Sequence, residues 1–152
     1  MKRFAIGAAV ICIGMASWAQ AGEFLEDKGV ALGRVDALSY FSPDQRLIYG
    51  DQERSVTYKG TKFYFITNAH AEAFKADPEH FAPQFGGYDA LAASKGDRVA
   101  ANPRVFIVQD GRLYLFKDRD SMKQWKQDVA TNIERGNHAW PALASTSPGT
   151  AP

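Results

Sequence analysis

Val105-Phe106-Ile107-Val108-Gln109-Asp110-Gly111-Arg112-Leu113-Tyr114-Leu115-Phe116 decides how this chain folds. Two runs rich in β-branched and aromatic residues flank Asp-Gly, a pair that favours the two-residue type I′ turn. Pairing Gln109 with Arg112 sets Val108 opposite Leu113 and Phe106 opposite Leu115. Val105, Ile107, Tyr114 and Phe116 then fall on the other face. Both faces are apolar, so the hairpin is expected to be covered on both sides or to lie mid-sheet. A similar hairpin is expected upstream. Ser55-Val56-Thr57-Tyr58 alternates polar and apolar, Lys59-Gly60 can turn, and Thr61 to Ile66 returns. In that register Val56 faces Phe63 and Tyr58 faces Thr61, with Phe65 on the same face.

Helices are expected around these strands. Thr67 or Asn68 can cap a short helix running through Ala76, which carries His70 and Phe74 on one face at i, i+4. His70 is expected to pack on that face. Asp77-Pro78 stops this helix and starts a turn, because proline suits the first helical position behind an Asp cap. Gly86-Gly87 permits a tight change of direction before a short helix over Tyr88 to Lys95, ended by Gly96. The longest helix is expected from about Asp120 to Arg135. There Met122, Trp125, Val129 and Ile133 recur at spacings of 3, 4 and 4, an apolar stripe for packing on a sheet. Gly136 is its expected stop. No internal repeat and no linker are expected from the sequence. These elements predict a small single α+β domain with two β-hairpins and several helices, the longest near the C-terminus.

The ends read differently. Lys2-Arg3 precedes a 15-residue uncharged run from Phe4 to Trp18, followed by Ala19-Gln20-Ala21. Charged start, apolar core and A-x-A end form a secretory signal pattern, and the run is short of the ~20 residues that span a bilayer. Residues 1–21 are therefore expected to be a signal peptide cleaved after Ala21, giving a periplasmic or secreted protein with no stable membrane insertion. The domain proper is expected over 26–143. Residues 144–152 (ASTSPGTAP) are small and polar and are expected to form a disordered tail.

Composition excludes several functions. The 152 residues include 18 Lys+Arg, 17 Asp+Glu, 3 His and 1 Cys, a net charge of +1. That charge predicts no nucleic-acid partner. Cleavage after Ala21 removes Cys12 and leaves a cysteine-free chain, with neither disulfide nor thiol chemistry of its own. No Gly-rich phosphate loop, HExxH or GxSxG is present, and no spacing selects an acid–base pair, so an enzyme is not the expected reading.

Several stretches, in order, resemble the YHS-domain proteins, in particular their small exported branch. Val35-Asp36-Ala37-Leu38-Ser39-Tyr40-Phe41 is similar to the branch's opening "YD-x-VAYF". Ser55 to Phe65 is similar to its "Y-x-G-x-x-YYF" hairpin. Ala73 to Tyr88 (AFKADPEHFAPQFGGY) is close to "AF-x-x-DPE-x-Y-x-PQYGGY". Asp110 to Leu115 resembles "DGKLYL", and Ala139-Trp140-Pro141 resembles "NWP". The resemblance implies a periplasmic metal-binding or metal-handling module, with a metal ion or a periplasmic protein as partner. In that branch Gly-Gly-Tyr is usually followed by Cys, where this chain has Asp89. A carboxylate is no redox nucleophile and prefers harder cations than a thiolate does. A divalent ion is the implied cofactor. The alternative is a structural or interaction protein that keeps the fold without the Cys-based site.

Three residues are the candidate metal ligands. Asp77 and His80 sit three apart around Pro78, a spacing that lets both meet one cation or lets Asp77 cap a helix turn. Asp89, just past Gly86-Gly87, can serve as a ligand or cap the following helix. His138, beside Trp140 and Pro141, is expected to make packing contacts.

Overall fold

Both hairpins form with the registers that their turns dictate. The computed structural model describes residues 23–146. The expected signal peptide with its cleavage site, and the tail from residue 147 on, lie outside the described residues. From the N-terminus, β1 (Glu26–Asp27) and β2 (Val30–Ala31) precede the first hairpin, β3 (Asp51–Tyr58) and β4 (Thr61–Phe65). Next come α1 (Asn68–Ala76), α2 (Pro78–Phe81) and α3 (Ala90–Ser94). The second hairpin is β5 (Asn102–Gln109) and β6 (Arg112–Phe116), and α4 (Arg119–Trp125) and α5 (Val129–Ala144) close the chain. One sheet has the order β1-β2-β4-β3, with β2 parallel to β4, and the other is β5-β6. The fold is a mixed α+β single domain.

Val56 pairs with Phe63, Tyr58 with Thr61, Gln109 with Arg112, Val108 with Leu113 and Phe106 with Leu115. Lys59-Gly60 and Asp110-Gly111 each take positive φ at both positions, which is what a type I′ turn needs. The second hairpin is covered on both faces. Leu113 and Leu115 join a core built on Phe63, Phe65, Phe74 and Tyr40. Tyr114 and Phe116 join another around Trp125, Phe85 and Leu91.

The long C-terminal helix departs from the expectation in two ways. It is broken, because Asp128 leaves the helical region (φ −151, ψ 75) and caps α5 by accepting a hydrogen bond from the Thr131 amide. Met122, Val129 and Ile133 still pack around buried Trp125 across the break. Nor does Gly136 end the helix, which runs on through Pro141 to Ala144. A Cβ at Gly136 would lie 2.4 Å from Cζ of Phe85. Glycine is there to let a ring approach the helix backbone, not to terminate it. Beyond the helix, Arg98 donates to the Thr146 carbonyl at 2.6 Å while its guanidinium lies 4.3 Å from the centroid of the Tyr88 ring.

The expectation of no internal repeat is also overturned. Val30 pairs in parallel with Lys62, and Pro83 pairs in parallel with Leu113. Leu32-Gly33-Arg34 and Phe85-Gly86-Gly87 both take three consecutive positive φ values. Val35 bridges Tyr49, and Tyr88 bridges Ala100. The Asp36 amide donates to the Ile48 carbonyl and the Asp89 amide to the Val99 carbonyl, both at 2.8 Å. Asp-Ala-Leu begins at residues 36 and 89 alike. Each hairpin has a register shift in its first strand, between Asp51 and Ser55 and between Asn102 and Phe106. After each hairpin a side-chain cap, Thr67 or Asp118, starts a helix whose ring, Phe74 or Trp125, is fully buried.

The chain is therefore one structural unit built twice. Corresponding residues lie 53 positions apart at Asp36 and Asp89. They lie 51 apart at Phe65 and Phe116, because the intervening loop is two residues shorter in the second unit. Few side chains are identical between the units, and the length change shifts the register between them, so composition and spacing alone gave no repeat.

Candidate functional site

Each unit is tied at the same corner by a buried aspartate. In the second unit the left-handed turn Phe85-Gly86-Gly87 delivers Asp89 to the start of α3 at 1% exposure. Its Oδ1 accepts from the Ala92 amide at 2.7 Å, which caps α3. Its Oδ2 accepts from the Lys117 amide at 2.7 Å and from the Ser121 hydroxyl at 2.6 Å. One carboxylate thus joins α3, the end of β6 and α4. An ionised carboxylate carries enough lone pairs for three donors, and charge-assisted bonds of this length are the strong kind.

Asp36 repeats the arrangement with one substitution. It is fully buried, its Oδ1 accepts from the Leu38 amide at 2.9 Å, and its Oδ2 accepts from the Ile66 amide at 2.9 Å. The third partner is Nδ1 of His70 at 2.8 Å, in the place that Ser121 holds in the second unit. His70 was expected only to pack on a helix face. Phe74 does that alone, while the imidazole bridges Asp36 to solvent with its side chain 36% exposed. No sequence spacing signals this pair, since 34 residues separate its members.

The candidate ligands occupy three different settings. Asp89, expected as a ligand or a cap, caps α3 and also crosslinks elements. Asp77 caps α2, its Oδ1 accepting from the backbone amide of His80 at 3.2 Å. The His80 ring stacks on Phe41, with centroids 5.3 Å apart, and sits edge-on to Phe81 at 4.7 Å. Among the described residues no three His, Cys, Asp or Glu side chains are grouped closely enough to hold a metal ion, so Asp77, His80 and Asp89 do not converge. His138 is exposed on α5.

Comparison of the chain with protein-family models, with curated proteins and with solved structures gave no match.

Proposed function

We propose that this is an exported interaction module of the YHS type, in which Asp89 has taken a structural part at the position where that branch usually carries Cys. The observation that supports this reading is the triple hydrogen bonding of the buried Asp89 carboxylate. Its acceptor sites are directed at donors of its own chain, and none is offered to solvent at 1% exposure. A metal-handling role through Asp89, His80 and Asp77 is the competing proposal, and one experiment separates the two.

Tag-free protein and its Asp89→Ala variant are titrated with Zn²⁺ and with Cu⁺, and both are unfolded in urea. On the structural reading neither protein takes up a stoichiometric ion. The variant loses about 3–5 kcal/mol, since two amides and a hydroxyl each lose a charged acceptor at about 1–3 kcal/mol apiece, with incomplete additivity. Stoichiometric binding by the parent that disappears in the variant would overturn it in favour of the metal role.

A further inference from the structure

The duplicated unit supplies an internal comparison at every position, and one difference between the copies leaves a hole. In the first unit Arg34 ends the left-handed turn, and its guanidinium lies 5.9 Å from the centroid of the Tyr64 ring. Tyr49 occupies the strand position that bridges Val35 beside this turn. The counterparts of Arg34, Tyr49 and Tyr64 in the second unit are Gly87, Ala100 and Leu115. All three substitutions shorten the side chain. These three residues border a cavity of about 270 Å³, walled largely by apolar atoms and completed by Leu25, Leu32 and Pro103. Shrinkage at three clustered positions of the same frame is the reverse of how a core is filled.

The charges around the cavity have one sign. Glu26 and Asp27 line it, and no lysine or arginine does. Glu26 has an internal partner, the buried Thr61 hydroxyl, at 3.3 Å. Asp27 is exposed. In the first unit a cation and an aromatic ring meet at this place. At the corresponding place in the second unit the protein provides neither, and the lining is apolar walls with Glu26 and Asp27 of β1.

We propose that this cavity is a binding site for a small organic cation with an apolar body, an amine or quaternary ammonium whose ring or short chain enters between Leu32 and Leu115. The ligand supplies what Arg34 and Tyr64 supply in the first unit. Its apolar part is held by burial and its positive end by Glu26 and Asp27. A cavity of about 150 Å³ already accommodates benzene, so about 270 Å³ suits one ring carrying a short chain. The site is separate from Asp89, and the inference holds whichever role that residue has.

Methyl-resolved NMR on the full exported chain tests it with three probes of like shape: 2-phenylethylammonium, neutral 2-phenylethanol and anionic 3-phenylpropanoate. The cation is expected to shift the methyl signals of Leu32, Ala100, Ala101 and Leu115 saturably at millimolar concentration. The neutral probe should bind about tenfold more weakly, the equivalent of one modest ionic contact, and the anion more weakly still. Ala100→Tyr, which restores the first unit's residue at an exposed position, should abolish the shifts. Asp27→Asn, also exposed, should bring the cation down toward the neutral probe. Absence of saturable shifts with all three probes would overturn the proposal. So would an anion that binds as tightly as the cation, or binding that survives unchanged in a folded Ala100→Tyr protein.

Discussion

Tyr40 joins the two units through its hydroxyl and its ring. Its side chain is fully buried, its Oη donates to the Pro103 carbonyl at 2.9 Å, and its ring meets Phe106 edge-on. Burial holds the phenol well above its ordinary value, with Tyr49 adding to the effect. Both folded and unfolded chains keep this proton below pH ~10. As pH rises past that value the unfolded chain ionises and the folded chain does not, so Tyr40 contributes stability that drains away in alkali. Tyr40→Phe should cost about 1–2 kcal/mol near pH 7 by leaving the carbonyl without its donor. Its stability should then fall less steeply than the parent's between pH 10 and 12, read from urea melts across that range. An unchanged alkaline slope would show that Tyr40 is not the group responsible. Single residues of this kind were the least legible feature of the sequence. Asp77 and Asp89 could be read as caps, because a cap bonds within three residues of itself. Bonds from Asp36 to His70 and from Asp89 to Ser121 link residues 34 and 32 apart, and only the folded chain brings them together.

At the scale of elements the hairpins were legible next to their turns, since a two-residue turn fixes the pairs beside it. The register shifts between Asp51 and Ser55 and between Asn102 and Phe106 lie beyond that reach. The α5 boundary was not legible. Gly136 looks like a stop because glycine is common just past helix ends, but here it sits beneath the Phe85 ring inside α5. Replacing glycine by alanine in an ordinary helix interior stabilises it by about 1 kcal/mol. At Gly136 the new methyl would meet three ring carbons of Phe85 at 2.4–3.0 Å. Phe85 has little room to yield, being buried with φ at +51. Gly136→Ala should therefore destabilise the protein, by about 1–3 kcal/mol as overpacking does. Thermal melts of parent and variant decide the sign, and a raised Tm would mean that the ring moves freely away. The kink at Asp128 is hidden in the sequence for a related reason. The apolar stripe keeps its spacing straight through the break, and a stripe reports a buried face, not the continuity of the backbone that carries it.

For the whole molecule, duplication has not produced two independent halves. The core of the first unit includes Leu113 and Leu115 from the second, with Phe106 and Val108 packed against it. The units should thus unfold together. Tryptophan fluorescence reports the second unit, through Trp125 and Trp140, while exchange of β4 amides reports the first. Both should give the same unfolding free energy, within about 1 kcal/mol. A β4 that opened at distinctly lower energy would show that the first unit unfolds on its own. Only short connecting structure, Asp77 to Ala82, lies between the two halves, and the faces that join them are the same whether the partner half is in the same chain or in another. A crowded refolding mixture therefore offers each half a choice of mates. Reciprocal exchange yields an intertwined pair of chains with every native contact preserved, so dilution during refolding, and not any change of sequence, selects the self-closed form.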